Sequence, residues 1–187
     1  YRVASFYYEN MNLRSYYEKI EGLAQRVKLR LRFYPPITST SDFFFELKHK
    51  HLDRSIKERT TLTGKNLGDV LAPNKSLSGL HPGDKVWSKC AALIAMENFQ
   101  PFLRIDYTRK AYFDRHDSNV RITIDSEIVC CHYMGDPTQL PHIPVIDKQL
   151  RVLEIKSPNY YPFWLPLLIQ KYRLEKWSIS KYALAVK

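Results

Sequence analysis

Lys28, Arg30 and Arg32 alternate with Leu29, Leu31 and Phe33 in the run that ends at Tyr34. Extended backbone throws successive side chains to opposite faces, so this spacing gives one strand a cationic face and an apolar face. The pattern returns from Phe43 to Lys50, where Phe44, Glu46, Lys48 and Lys50 share a face. It returns again from Ser55 to Thr63, with Lys57, Arg59 and Thr61 opposite Ile56, Glu58 and Leu62. Like charges directly opposite on paired strands destabilise a sheet. Arg30, Arg32, Lys48, Lys57 and Arg59 on neighbouring strands therefore make most sense if a polyanion neutralises them. A solvated outer face over an apolar core is the other arrangement that alternation allows; a closed barrel with these residues inside would be an anion tunnel.

Glu46, Asp125, Glu127 and Glu154 enter the same alternation. Carboxylates among phosphate-binding cations suit Mg²⁺ or Mn²⁺ held jointly by protein oxygens and substrate phosphates, as in phosphoryl transfer. Cross-strand salt bridges are the alternative for each of them. Other chemistries find less support. There is no P-loop and no GxGxxG. His49, His51, His81, His116, His132 and His142 lack HxxxH or His/Cys metal spacing. Cys90, Cys130 and Cys131 lack CxxC spacing, and the adjacent pair would point to opposite faces of a strand. They read as free thiols, which suits a reducing, cytoplasmic compartment.

These side chains need a scaffold, and the 187 residues suffice for one domain with its own core. The 29 Lys and Arg against 19 Asp and Glu leave a net charge of +10, which favours an anionic partner: nucleic acid, a membrane surface or a phosphorylated small molecule. Strands are expected over 1–9, 28–34, 43–50, 55–63, 102–113, 120–129 and 151–157, and helical spacing over 10–21, 85–99 and 164–173, before a basic, aromatic tail from Lys176 to Lys187. The uncharged run from Ser157 to Gln170 is too short to span a bilayer and carries Pro158, Pro162 and Pro166. No repeat or linker divides the chain.

The succession KLRLRFY (28–34), FFFELKHK (43–50), SIKERTTL (55–62), YTRKAYF (107–113), VRITID (120–125), VLEIK (152–156) and SKY (180–182) resembles the VTC domain, the polyphosphate polymerase branch of the triphosphate tunnel metalloenzyme (CYTH-like) superfamily. The resemblance implies an α+β fold: a tunnel of eight antiparallel strands with flanking helices and a C-terminal helix closing one mouth. It implies that Arg30, Arg32, Lys48, Lys57, Arg59, Arg109 and Arg121 bind and neutralise triphosphate or polyphosphate. Glu154 takes the place of the family's metal-binding Glu, with Lys156 beside it, and Lys181 fits a Lys beyond the terminal helix. Lys50 joins the substrate-binding set and Glu46 the metal set, for Mn²⁺ or Mg²⁺. Family members open with a strand bearing a basic residue of the site, to which nothing here corresponds, so 1–187 is expected to be one domain lacking that strand. In the 102–113 strand, alternation sorts Arg109 with Leu103, Ile105 and Phe113 and makes Arg104, Asp106, Thr108 and Lys110 the polar face. A bulge must then bring Arg109 to the site, or Arg104 or Lys110 replaces it.

The activity so implied is ATP-dependent extension of polyphosphate, with hydrolysis of inorganic triphosphate as the near alternative. A binding-only domain for polyphosphate or inositol phosphates is a second class. An RNA-binding module ranks lowest, because no aromatic platform of the usual RNA-binding kinds is present. A membrane-protein partner that collects the product is a further implied association.

Overall fold

The computed structural model describes residues 1–52, 54–117, 119–157 and 161–187; Pro158 of the uncharged run lies outside them. The strands are β1 (Arg2–Glu9), β2 (Gln25–Phe33), β3 (Asp42–His51), β4 (Arg54–Thr63), β5 (Gln100–Phe113), β6 (Arg121–His132), β7 (Ile143–Pro144) and β8 (Val152–Lys156). The helices are α1 (Arg14–Ile20), α2 (Leu67–Leu71), α3 (Lys85–Glu97), α4 (Trp164–Lys171) and α5 (Lys181–Val186). All eight strands join one antiparallel sheet in the order β4-β3-β2-β1-β5-β6, and both β7 and β8 pair with β6. The fold is thus α+β with eight antiparallel strands, as expected. The ladders do not join β4 to β7 or β8 among the described residues, so the expected closed tunnel is an open sheet. That sheet is curled: Lys28 of β2 donates to Ser180 while the next residue, Lys181, reaches Asp125 of β6, so one short segment meets strands three places apart in the order.

Period-two alternation on β1 to β3 sends Ala4, Phe6, Tyr8, Leu29, Leu31, Phe33, Phe43, Phe45 and Leu47 to the convex face, all buried. Each such side chain contributes about 1.5–3 kcal/mol by leaving water. Helix α3 closes this layer with Trp87, whose ring lies 5.3 Å from Phe45 and whose Nε1 donates to the Leu77 carbonyl. Asp84 caps α3 by accepting from the amides of Val86 and Trp87.

On the concave face lie Val3, Tyr7, Leu103, Ile105, Tyr107, Ile128, Cys130 and Val152, with Tyr182 packed against them. Within the stretch from Lys176, expected to be a tail, Lys181–Val186 form α5. Ser180 caps it by accepting from the Ala183 amide, and Tyr182 stacks on Tyr7 with centroids 5.1 Å apart. The Tyr182 hydroxyl donates to Glu9, whose carboxylate also accepts the amides of Ser15 and Tyr16, so one buried group ties β1, α1 and α5 together. Among the described residues no helix is long and apolar enough to cross a membrane. The cysteines are free and buried.

Candidate functional site

Alternation places Arg30 and Arg32 of β2, Glu46 and Lys48 of β3, and Lys57 and Arg59 of β4 on the concave face, and the register decides who meets whom. Arg30, Glu46 and Arg59 stand directly opposite one another across three strands. Glu46 thereby separates the two guanidinium groups. Its Oε2 accepts from Arg30 Nε at 2.6 Å, its Oε1 lies 2.6 Å from Lys57 Nζ, and Arg32 Nε stands 3.9 Å away. Burial works against the charge of Glu46, but Arg30, Arg32 and Lys57 hold its pKa down at about 2. Arg59 lies over the Phe44 ring at 4.8 Å, beside this group.

A second group forms where β5, β6, β8 and α5 meet. Arg109 donates bidentately to Asp125 at 2.6 and 2.7 Å, and Lys181 Nζ reaches the same carboxylate at 2.6 Å. Burial opposes ionisation of Asp125, yet these two cations lower its pKa. Glu154 lies 3.9 Å from Arg109 and 3.4 Å from Lys156. Lys181 is the first residue of α5 rather than a residue of a tail beyond the last helix. Its ammonium sits 5.0 Å over the Tyr107 ring, which Arg109 also approaches at 5.2 Å. The two groups share one face: Lys48, its pKa lowered first by burial and then by Arg30 and Lys156, lies between them. Lys50 stands on the same face of β3, opposite Arg26, and Arg121 on the face of β6 that carries Thr123 and Asp125, 5.8 Å over Phe113.

Strand β5 corrects the face assignment. Leu103, Ile105, Tyr107 and Arg109 all face the concave side, so Arg109 reaches the site by plain alternation, the register shift of β5 against β1 lying before Leu103. Arg104 does not substitute for it. Arg104 points to the convex side, over Phe6 and Phe33 at 5.6 and 5.4 Å, donates bidentately to buried Asp106, and donates to the carbonyls of Pro137 and Gln139. Lys110 is exposed. The irregularity lies in β6, where the register shifts against β5 and Glu127 takes φ 52. A bulge reverses the alternation beyond it. Asp125 therefore faces the site, whereas Glu127 is exposed and accepts from Thr108.

Tyr7 is a member that charge patterning passes over. Arg30 Nη1 donates to its hydroxyl at 3.2 Å. Burial raises its pKa, but Arg30, Arg32 and Lys181 outweigh that and lower it. Three buried polar atoms of the concave face, Ser5 Oγ, Arg32 Nε and Thr123 Oγ1, have no hydrogen-bond partner among the described residues. Ser5 and Arg32 are direct neighbours across β1 and β2. Buried donors of this kind cost free energy until an acceptor meets them.

Among the described residues no three Asp, Glu, His or Cys side chains gather as a metal site. Both Glu46 oxygens are already engaged by cations, so that donor set does not fit a divalent ion. Glu154, with 43% of its side chain exposed and its oxygens no closer than 3.4 Å to Lys156 and 3.9 Å to Arg109, fits one that takes its remaining ligands from phosphate oxygens.

A model of the VTC domain family matches residues 1–187. Vacuolar transporter chaperone complex subunit 2 of Schizosaccharomyces pombe is 29% identical over 134 residues, 66% of this chain and 18% of that protein. Subunit 4 of the same-named complex of Trypanosoma brucei brucei is 23% identical over an alignment of 219 positions, covering 97% of this chain and 27% of that protein. The chain thus spans well under a third of the curated relatives it matches.

Proposed function

The chain belongs to the VTC domain family, and from that premise we propose that its concave face binds triphosphate and polyphosphate and extends the polymer with the γ-phosphoryl group of ATP. The observation that carries this reading is the convergence of Arg30, Arg32, Lys57, Arg109 and Lys181 on one face whose Arg32 Nε, Ser5 Oγ and Thr123 Oγ1 lack acceptors. Phosphate oxygens are acceptors, and guanidinium groups grip them through paired N–H donors.

In the transfer, a terminal oxygen of the polyphosphate attacks the γ-phosphorus, and the bond from that phosphorus to the β,γ-bridging oxygen breaks, releasing ADP. The nucleophile is an anion at neutral pH, so the protein needs no general base. Its task is to hold two polyanions in line and to neutralise charge on the equatorial oxygens. Arg30, Arg32 and Arg59 serve one part of the phosphate chain and Arg109, Lys48 and Lys181 another, with Lys50, Lys156 and Arg121 at the margins. Glu46 and Asp125 hold the guanidinium groups apart and oriented before substrate arrives. Glu154 would hold Mg²⁺ or Mn²⁺, which would supply further neutralisation of phosphate charge. By analogy with relatives named as subunits of a vacuolar transporter chaperone complex, the domain works beside protein partners; a membrane partner and a cytoplasmic location are part of the same proposal.

A binding-only role is the second reading, because Glu154 is the one carboxylate of the two cationic groups whose side chain is more than a third exposed. Incubation with ATP and Mn²⁺ separates the possibilities. Lengthening polymer that Glu154→Gln abolishes, with tripolyphosphate binding retained, supports the transferase. Orthophosphate released from tripolyphosphate assigns hydrolysis instead, and binding without any product assigns the binding role.

A further inference from the structure

Deepening the polyphosphate reading of the concave face and resting on it, we infer that Lys28 and Arg26, which stand opposite the site residues Lys48 and Lys50, extend the site so that it engages polyphosphate chains longer than triphosphate. Lys28, Lys48 and Lys57 stand directly opposite one another across β2, β3 and β4. The rung beside it is Arg30, Glu46 and Arg59, where a carboxylate separates the cations; the rung beyond is Arg26, Lys50 and Ser55. Among the described residues no carboxylate forms an ion pair with Arg26, Lys28, Lys48 or Lys50. Three ammonium groups in one rung repel one another, and among the described residues only Lys57 of the three forms an ion pair, with Glu46.

Lys28 is held in place by its surroundings. Its Nζ donates to Ser180 Oγ at 3.1 Å and lies 5.3 Å over the Tyr182 ring, both from the segment that carries α5. It is half-buried, and burial first, then Lys19, Lys48 and Arg26, bring its pKa down to about 8 against the opposing effect of Tyr7. An anion beside it relieves both the burial cost and the repulsion. Successive rungs on one face are about 7 Å apart, so a phosphate chain seated on the Arg30 rung reaches the Lys28 rung only by extending along the strands. A short substrate is served by the two groups around Glu46 and Asp125. The extension borders α5.

Calorimetric titration of the chain with tripolyphosphate and with long-chain polyphosphate, at fixed ionic strength, tests this. Lys28→Gln is expected to weaken long-chain binding about tenfold and tripolyphosphate binding less than about twofold, and Lys28→Arg to retain both. Arg26→Gln repeats the length-dependent loss without touching α5. Equal losses for both ligands, or no loss for the long chain in either glutamine variant, overturn the extension while leaving the main site standing. Failure of the unaltered chain to bind either phosphate overturns the reading of the whole face. Displacement of long-chain polyphosphate by an RNA oligomer of matching charge at equal concentration also overturns it.

Discussion

Strand β5 carries two bidentate arginine–aspartate pairs on opposite sides of the sheet. On the convex side Arg104 is only 3% exposed, lies over two phenylalanine rings, and spends its remaining donors on the carbonyls of Pro137 and Gln139. On the concave side Arg109 binds Asp125 in the same way, but Lys181 shares that carboxylate and Glu154 and Lys156 lie beside it. The chemistry of the pairs is alike; what differs is what surrounds them. A guanidinium closed on every side pins a loop to the sheet. One left among surplus cations, on a face with unmet donors, is ready for an anion.

Breaking the closed pair is expected to have the largest effect on stability. Arg104→Ala leaves Asp106 buried with only Arg2 near it, at 3.7 Å, and is predicted to cost about 3–5 kcal/mol in chemical denaturation. Whatever fraction folds should bind tripolyphosphate as before. Arg109→Ala is predicted to do the reverse. Lys181 still pairs with Asp125, so the stability loss stays near 1–2 kcal/mol, whereas phosphate affinity falls by about 2–4 kcal/mol. Arg109→Lys should restore charge but not the fork, and so recover only part of that affinity. If both alanine variants lose stability and affinity alike, the contrast fails.

Acid titration sharpens the contrast on the other cationic group. The folded-state pKa of Glu46, about 2, lies below its ordinary value of 4.5. Its stabilising contribution is therefore fully present above about pH 4.5 and is lost as pH falls toward 2, amounting to about 3 kcal/mol. Glu46→Gln should flatten this limb of the stability–pH curve and lower neutral-pH stability, because Arg30, Arg32 and Lys57 then repel one another. Added tripolyphosphate should recover part of the loss. The smallest change is expected from Tyr7→Phe, which removes the acceptor of Arg30 Nη1 at a cost of about 1 kcal/mol. Ultraviolet titration should show the corresponding loss of a tyrosine ionising below the ordinary range.

The period-two repeats of 28–34, 43–50 and 55–63 were enough to place Arg30, Arg32, Glu46, Lys48, Lys57 and Arg59 on one face, because a strand admits only two faces and apolar residues claimed the other. Most other elements were legible from turn residues and helical spacing. The side on which Arg104 and Arg109 lie was not, because both faces of β5 mix charge with bulk and only pairing with β1 reveals which is lined by the arginines of β2. Nor does alternation announce the bulge at Glu127, which reverses β6 between Asp125 and Ile128, or the six residues of α5 that bring Lys181 and Tyr182 onto the site. Local periodicity determined which side chains could act together within a strand. Curl, register and the docking of the last helix are long-range contacts without a period of their own, and the tertiary structure alone decided which carboxylate steadies which cation.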